Sequence, residues 1–207
     1  SRQPRRSSIS LACSGGRSDD RHDHRHHHPA RHRLRAQLID VIEVWTDGSG
    51  PSKRAIKGQE VRGVGGWAAV LFVVGNPFID EISGAVEDTT SSRMEMTAVI
   101  KALQHITKPS KFLIHADSAY VVNAIRQKWI PNWRRNGWIN SKGKPVANRD
   151  LWEQLVEEIA RHESVSFVKV KGHRGIEHNE RCDRLADKAK RQHLDTTAKV
   201  QYGQVSA

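Results

Sequence analysis

Two β-rich runs that each end on an aspartate constrain the fold of this chain more than any other feature. The first is VIEVWTD at 41–47, and the second is KFLIHAD at 111–117. Between them lie two more β-rich runs, at 63–74 and 78–86, with GNP at 75–77 as a hairpin turn. A hairpin followed by alternating strands and helices predicts an α/β fold, in which an antiparallel portion precedes crossover strands.

Four later segments have helical patterns, and a fifth strand, VSFVKV at 165–170, lies between the last two. The first helix carries its apolar residues at helical spacing and has Ser91 or Ser92 as its cap. The predicted helices are 94–106, 118–128, a segment from Asn148 or Asp150 to about 162, and 178–192. The element order β-β-β-α-β-α-α-β-α predicts a mixed five-stranded sheet with helices on both faces.

Four acidic residues fall where such a sheet would bring them together. Asp47 and Asp117 end strands that we expect to be parallel neighbours, and ligands gather at the carboxyl ends of such strands. Glu95 leads a stripe of small residues that would let its helix lie close to the sheet, and Asp183 sits beside the apolar stripe of the last helix. Each acid also has an ordinary explanation as a turn residue, a helix-dipole charge or a surface charge.

A cluster of four carboxylates predicts a divalent metal site. Ionised carboxylates do not converge unless cations hold them together. Oxygen ligands suit Mg²⁺ or Mn²⁺ rather than Zn²⁺. Two such ions about 3.5–4 Å apart are the arrangement that catalyses in-line displacement at a phosphodiester.

The charge of the chain is concentrated at its amino-terminal end. The net charge is +11, and residues 1–39 hold nine Arg, three Asp and six of the twelve His. We predict a disordered basic segment at 1–39, a catalytic domain at 40–193 and a carboxy-terminal tail at 194–207. The histidines of the first segment could alternatively bind Zn²⁺ or Ni²⁺, or the segment could direct organellar import. We otherwise expect a cytoplasmic protein. No run approaches the ~18 apolar residues of a membrane span, so we expect no membrane-spanning helix.

A stretch at 129–145 interleaves aromatic and basic residues, as nucleic-acid-binding surfaces do. Trp129, Trp133 and Trp138 alternate with Arg134 and Arg135. Flat aromatics pack on sugars or bases while cations neutralise phosphates. The alternative interpretation is three core tryptophans beside a solvated run of charges.

The ordered motifs of the chain resemble a type 1 ribonuclease H of the bacterial kind. The resemblance runs from about Val41 to Gln192 and rests on VWTDGSG, TTSSRMEM, HADSAYV, WIPNWRRNGW, PVANRDLW and VKGHRGIEHNERCDRLA. It implies endonucleolytic cleavage of the RNA strand of RNA–DNA hybrids with two Mg²⁺, for which Mn²⁺ may substitute, leaving 3′-hydroxyl and 5′-phosphate ends. The implied catalytic residues are Asp47, Glu95, Asp117, Asp183 and, on a loop, His173.

The same resemblance implies the contacts to the hybrid. Thr90 would contact a phosphate of the DNA strand, Ser92 and Asn179 would contact nucleic acid, and the tryptophan–arginine stretch would form a basic protrusion. The chain departs from the family at Ser91 and Ser92, which replace asparagines, and in a longer basic loop at 51–62. We expect a monomer. A non-catalytic hybrid-binding module and an integrase or resolvase of the same broad fold remain the alternatives.

Overall fold

A computed structural model describes residues 41–52, 61–73, 76, 79–172 and 175–203. Within these ranges the chain forms five strands and five helices. The strands are β1 (Val41–Ser49), β2 (Gly63–Val73), β3 (Ile79–Thr89), β4 (Lys111–Ala116) and β5 (Ser164–Lys169). The helices are α1 (Ser91–His105), α2 (Ala119–Arg126), α3 (Trp129–Arg135), α4 (Arg149–Arg161) and α5 (Glu177–Gly203).

The five strands form one mixed sheet, which confirms the predicted fold class. Their order is β3-β2-β1-β4-β5, with β1–β2 and β2–β3 antiparallel and β1–β4 and β4–β5 parallel. Of the predicted hairpin turn, Gly75 and Pro77 lie outside the described residues. The N–H of Asn76 donates to the carbonyl of Val73 at 2.9 Å.

The two faces of the sheet bury two separate apolar clusters because side chains alternate along each strand. On β1, Val44 faces the larger cluster, which also holds Met96 of α1 and Trp152 of α4. The adjacent Trp45 faces the smaller cluster, together with Cys182 of α5. The sheet therefore lies between α1 and α4 on one side and α5 on the other. Across the described ranges, no helix combines the length and the apolar character that crossing a membrane requires.

The start of α1 and the end of α5 both differ from the sequence prediction. The cap of α1 is Thr90, neither Ser91 nor Ser92: Thr90 has extended backbone angles, and its hydroxyl accepts the N–H of Arg93 at 3.4 Å. The two serines already belong to the first turn. Helix α5 continues to Gly203 rather than ending at 192. No proline or glycine interrupts the sequence before Gly203, and His193 pairs with Glu87 of β3 at 2.9 Å.

Helix α3 is absent from the sequence prediction, and the predicted cap of α4 makes a different contact. Helix α3 has only seven residues, too few to show a helical period, and it follows Lys128 in a left-handed conformation (φ 55°). Asn148 does stand at the amino-terminal cap position of α4, but its side chain makes no capping hydrogen bond. Its carboxamide oxygen instead accepts from Arg93 of α1 at 3.4 Å.

Candidate active site

Asp47 and Asp117 are brought side by side by the parallel pairing of β1 and β4. Thr46 of β1 stands opposite Ala116 of β4, so the next residue of each strand is an aspartate. Asp47 is buried, with 8% of its surface exposed, and its Oδ1 accepts the N–H of Gly48 at 2.7 Å. This register confirms that the two residues are neighbours, but the prediction that Asp47 ends its strand is wrong, because β1 continues to Ser49 through its pairing with β2.

Glu95 reaches the same edge because α1 lies directly on the end of β1. A Cβ atom at Gly48 would collide with the backbone of Glu95 and would lie 2.5 Å from the carbonyl carbon of Met94. Ala98 and Ala102, on the small-residue stripe of α1, are fully buried. The small residues of α1, on which the prediction rests, account for only the helix side of this contact. The strand side is Gly48, a residue absent from the predicted site although it directly follows Asp47.

The electrostatics of Asp47 show that the other three acids lie around it. The pKa of Asp47 is raised to about 7, first by burial and then by the carboxylates of Asp117, Asp183 and Glu95. The hydrogen bond from Gly48 acts in the opposite direction. An acid that retains its proton near neutral pH inside a group of carboxylates is a typical sign of a functional site.

The pKa of Glu95 is raised as well, mainly by burial and also by Asp117. A hydrogen bond with the Ser118 side chain and the charge of Lys169 oppose that rise. Lys169 also donates to the backbone carbonyl of Asp117 at 2.9 Å. Ser118 caps α2, and Lys169 ends β5, so two further elements meet at the acidic edge.

Asp183 lies on α5, which packs on β1 and β2 beside the acidic edge. The Sγ of Cys182, the residue before it, contacts the carbonyl oxygen of Trp45 at 3.2 Å. At Gly66 of β2, an added Cβ would collide with the carbonyl of Ala186, so the helix backbone lies directly on the sheet. These close contacts leave Asp183 near the buried Asp47.

The segment that leads to the predicted loop histidine also touches the cluster. A Cβ at Gly172 would lie 2.6 Å from Oδ2 of Asp117, so only glycine fits there without displacing that carboxylate. His173 is the next residue in the chain and lies outside the described residues. Its predicted role therefore stays a prediction.

The donor set fits hard divalent cations, although the acids do not form a finished ligand shell. Within the described ranges, no three His, Cys, Asp or Glu side chains are close enough together to hold an ion. Carboxylates that repel one another stay apart until a cation neutralises them. Four carboxylate side chains favour a hard divalent cation over a softer metal.

The three tryptophans of the predicted protrusion serve the core as well as the surface. Trp133 and Trp138 are buried, with 8% and 7% exposed, and Arg149 lies over the ring of Trp138 at 5.3 Å from its centre. Trp129 is partly buried, whereas Arg134 and Arg135 are exposed. The core interpretation thus holds for two of the three tryptophans, and the exposure of the two arginines fits either interpretation.

A cleft of about 1200 Å³ separates the protrusion from the start of α1. Thr90 and Ser92 line it on one side, and Trp129 and Trp133 line it on the other. Asn179, also predicted to contact nucleic acid, does not line this cleft. It is only 1% exposed, and neither of its side-chain polar atoms has a hydrogen-bond partner among the described residues. The structure therefore groups four of the predicted contact residues and separates Asn179 from them.

Comparison with known proteins agrees with this geometry. Residues 40–191 match the model of the RNase H family. The chain belongs to the RNase H family. This RNase H is 45% identical to the ribonuclease H of Thermoanaerobacter sp. (strain X514) over 148 residues, which cover 72% of the chain and 88% of the relative. It is 50% identical to that of Nitratidesulfovibrio vulgaris (strain DP4) over 124 residues, covering 60% and 78%.

A solved structure shares the fold of this RNase H. LC9-RNase H1, a type 1 RNase H with the type 2 active-site motif, superimposes with a TM-score of 0.61 at 26% identity. The match covers 73% of this chain and 72% of LC9-RNase H1. The mixed sheet and its flanking helices are therefore those of the family.

Proposed function

We propose that this RNase H hydrolyses the RNA strand of RNA–DNA hybrids at the edge of the sheet where Asp47, Glu95, Asp117 and Asp183 meet. The products would carry 3′-hydroxyl and 5′-phosphate ends. The observation that carries the proposal is a buried Asp47 whose pKa is raised to about 7 by burial and by three neighbouring carboxylates. A bound cation would favour the ionised form of such a group, and divalent cations held at the same place can catalyse phosphodiester hydrolysis.

The cofactor in this proposal is a pair of Mg²⁺ ions, with Mn²⁺ able to substitute. When bound, such ions supply an activated water and stabilise the departing oxygen of a phosphodiester. Asp47 is the residue best placed to serve both ions, because its carboxylate interacts with all three other acids. Asp117, Glu95 and Asp183 would complete the ligands from separate elements.

The hybrid would lie across the cleft between α1 and the protrusion. Thr90 and Ser92 offer hydroxyls at the start of α1, and helix starts attract phosphates. Trp129 offers a partly exposed ring, and Arg134 and Arg135 offer unburied positive charge. Contacts to 2′-hydroxyls and the shape of the groove would distinguish RNA from DNA. Asn179 is buried and lies apart from this cleft, so its contact with nucleic acid stays a prediction.

His173 would act next to the cluster, because Gly172 already packs against Asp117. An imidazole titrates near neutral pH, so it could carry a proton or assist product departure. A monomeric state and a cytoplasmic location are further predictions of the sequence.

The test is cleavage of labelled substrates with the purified full chain. An RNA–DNA hybrid, an RNA duplex and a DNA duplex are each incubated with Mg²⁺, Mn²⁺ or Ca²⁺. We expect cleavage of the hybrid alone, in Mg²⁺ and Mn²⁺, and none by Asp47→Asn. Binding without cleavage would identify a hybrid-binding module, and cleavage of the DNA duplex would identify a DNA nuclease.

A further inference from the structure

A buried lysine on α5 is not explained by the proposed chemistry. Lys190 is 8% exposed, although a lysine is rarely buried without partners. Its ammonium group has three donors, and the structure gives three acceptors. These are Oγ of Ser49 at 2.7 Å, the carbonyl oxygen of Gly50 at 3.0 Å and Oδ1 of Asp187 at 3.0 Å.

Ser49 and Asp187 close this group into a triangle. The hydroxyl of Ser49 donates to Oδ1 of Asp187 and accepts from Lys190. Hydrogen bonds from Ser49 and Lys190 lower the pKa of Asp187, so this acid is ionised when the triangle is formed. A charged, fully satisfied group of this kind resists displacement more than one neutral hydrogen bond does.

The triangle lies next to Asp47 along β1 and next to Asp183 along α5. Ser49 is two residues after Asp47 on the same face of β1, a spacing of roughly 6.6 Å. Asp187 is one helical turn after Asp183 on α5, a spacing of roughly 6 Å. The distance from the acids to the triangle is therefore similar along β1 and along α5.

On the other side of the acids, a separate contact also holds α5 against β1. The Sγ of Cys182 meets the carbonyl oxygen of Trp45, two residues before Asp47. Gly66, which pairs with Ser49 across the sheet, lets α5 lie against β2 beside Lys190. The acids are thus held between one contact before them and one after them.

We propose that Lys190, Asp187 and Ser49 form a clamp that fixes the register of α5 against β1 and so positions Asp47 opposite Asp183 for the metal ions. The inference deepens the proposed function and rests on it. These three are positioning residues, since none of them reaches the reacting atoms. Residues that orient metal ligands typically change metal affinity or activity by ~10–100-fold when they are replaced.

The test compares Lys190→Met with Lys188→Met, which removes the same charge from an exposed position of the same helix. Cleavage of the hybrid is measured across Mg²⁺ concentrations. We expect the half-saturating Mg²⁺ concentration to rise about tenfold in Lys190→Met and to stay at the wild-type value in Lys188→Met. Hybrid binding in EDTA should remain within twofold of wild type in both variants.

A second measurement needs no catalysis. Mg²⁺ that binds the folded protein raises the free energy of unfolding by RT ln(1 + c/Kd), where c is the Mg²⁺ concentration, and so raises the melting temperature. The Mg²⁺ concentration that produces this rise should increase in Lys190→Met by the same factor as the half-saturating value. Lys190→Arg, which retains a cation and its donors, should recover part of the loss.

The outcomes separate the clamp from ordinary stabilisation and from the proposed function. A folded Lys190→Met with the Mg²⁺ dependence of Lys188→Met would overturn the clamp, whatever its melting temperature. If Lys190→Met does not fold, Ser49→Ala removes one corner of the triangle and is judged in the same way. If the wild-type protein cleaves no hybrid with any divalent ion, the proposed function fails, and the melting measurement still judges the clamp.

Discussion

Replacing Asp47 by Asn should stabilise the metal-free protein while abolishing cleavage. The pKa of Asp47 is raised from 3.8 to about 7, first by burial and then by the carboxylate of Asp117. The folded protein therefore binds a proton at Asp47 more tightly than the unfolded chain does. Asparagine has nearly the shape of the protonated acid, and its oxygen can still accept the N–H of Gly48.

The sign of the pH dependence follows from that proton. Between about pH 4 and pH 7 the folded state retains a proton that the unfolded state has lost, so the free energy of unfolding falls as pH rises through this window. Above pH 7 the full cost of the ionised Asp47 is present. The interval from 3.8 to about 7, at ~1.4 kcal/mol per pH unit, corresponds to ~4 kcal/mol as an upper limit.

The assay is urea unfolding in EDTA at pH 4, 6 and 8. Asp47→Asn should raise the free energy of unfolding by ~1–4 kcal/mol at pH 8, by less at pH 6 and hardly at all at pH 4. Asp195→Asn, an exposed substitution on α5, is the matched control and should show no such trend. Added Mg²⁺ should stabilise the wild type more than Asp47→Asn. A loss of stability at pH 8, or a gain that is equal at all three pH values, would refute the reasoning.

Four further predictions address the surroundings of the cluster. Arg134→Ala with Arg135→Ala should weaken hybrid binding and reduce the slope of log K against log salt by up to ~2; an unchanged slope would mean that neither arginine meets a phosphate. His173→Ala should lower kcat by ~10²–10⁴ if it serves the chemical step, and less if it aids release; single-turnover and steady-state rates distinguish the two. Removing residues 1–39 should leave kcat unchanged and raise KM mainly at low salt, which a folded but inactive protein would contradict. Gly48→Ala should cost ~1–3 kcal/mol in urea unfolding and most of the activity, because the added methyl group displaces α1; wild-type activity would show that the helix can yield.

Local pattern was sufficient to predict the order of the strands and the longer helices, and the sheet edge at which Asp47 and Asp117 lie. Strands and long helices reveal themselves by periods of two and 3.6 residues, and strand ends are marked by a change of pattern. Asp47 and Asp117 could be placed together because neighbouring parallel strands end at one edge. The motifs of the resemblance then identified Glu95 and Asp183 as partners.

Short-range signals failed where several residues competed for one role. Any of Thr90, Ser91 and Ser92 can cap a helix, and only the backbone angles at Thr90 decide among them. Helix α3 spans two turns, so its residues show no period, and its tryptophans are suited equally to a core and to a nucleic-acid surface. The structure places Trp133 and Trp138 mostly inside and leaves Trp129 beside the cleft.

The sequence by itself determined which chemical groups this protein has and the sheet edge at which they gather, because these follow from residue type and from periods along the chain. Tertiary structure alone decided how closely they gather. The missing side chain of Gly48 brings α1 onto β1, and the burial that results gives Asp47 its raised pKa. Lys190 and Ser49 are 141 residues apart in the chain, yet they meet across the joint between α5 and β1. Contacts between such distant residues depend on how whole elements pack, and no local pattern carries that information.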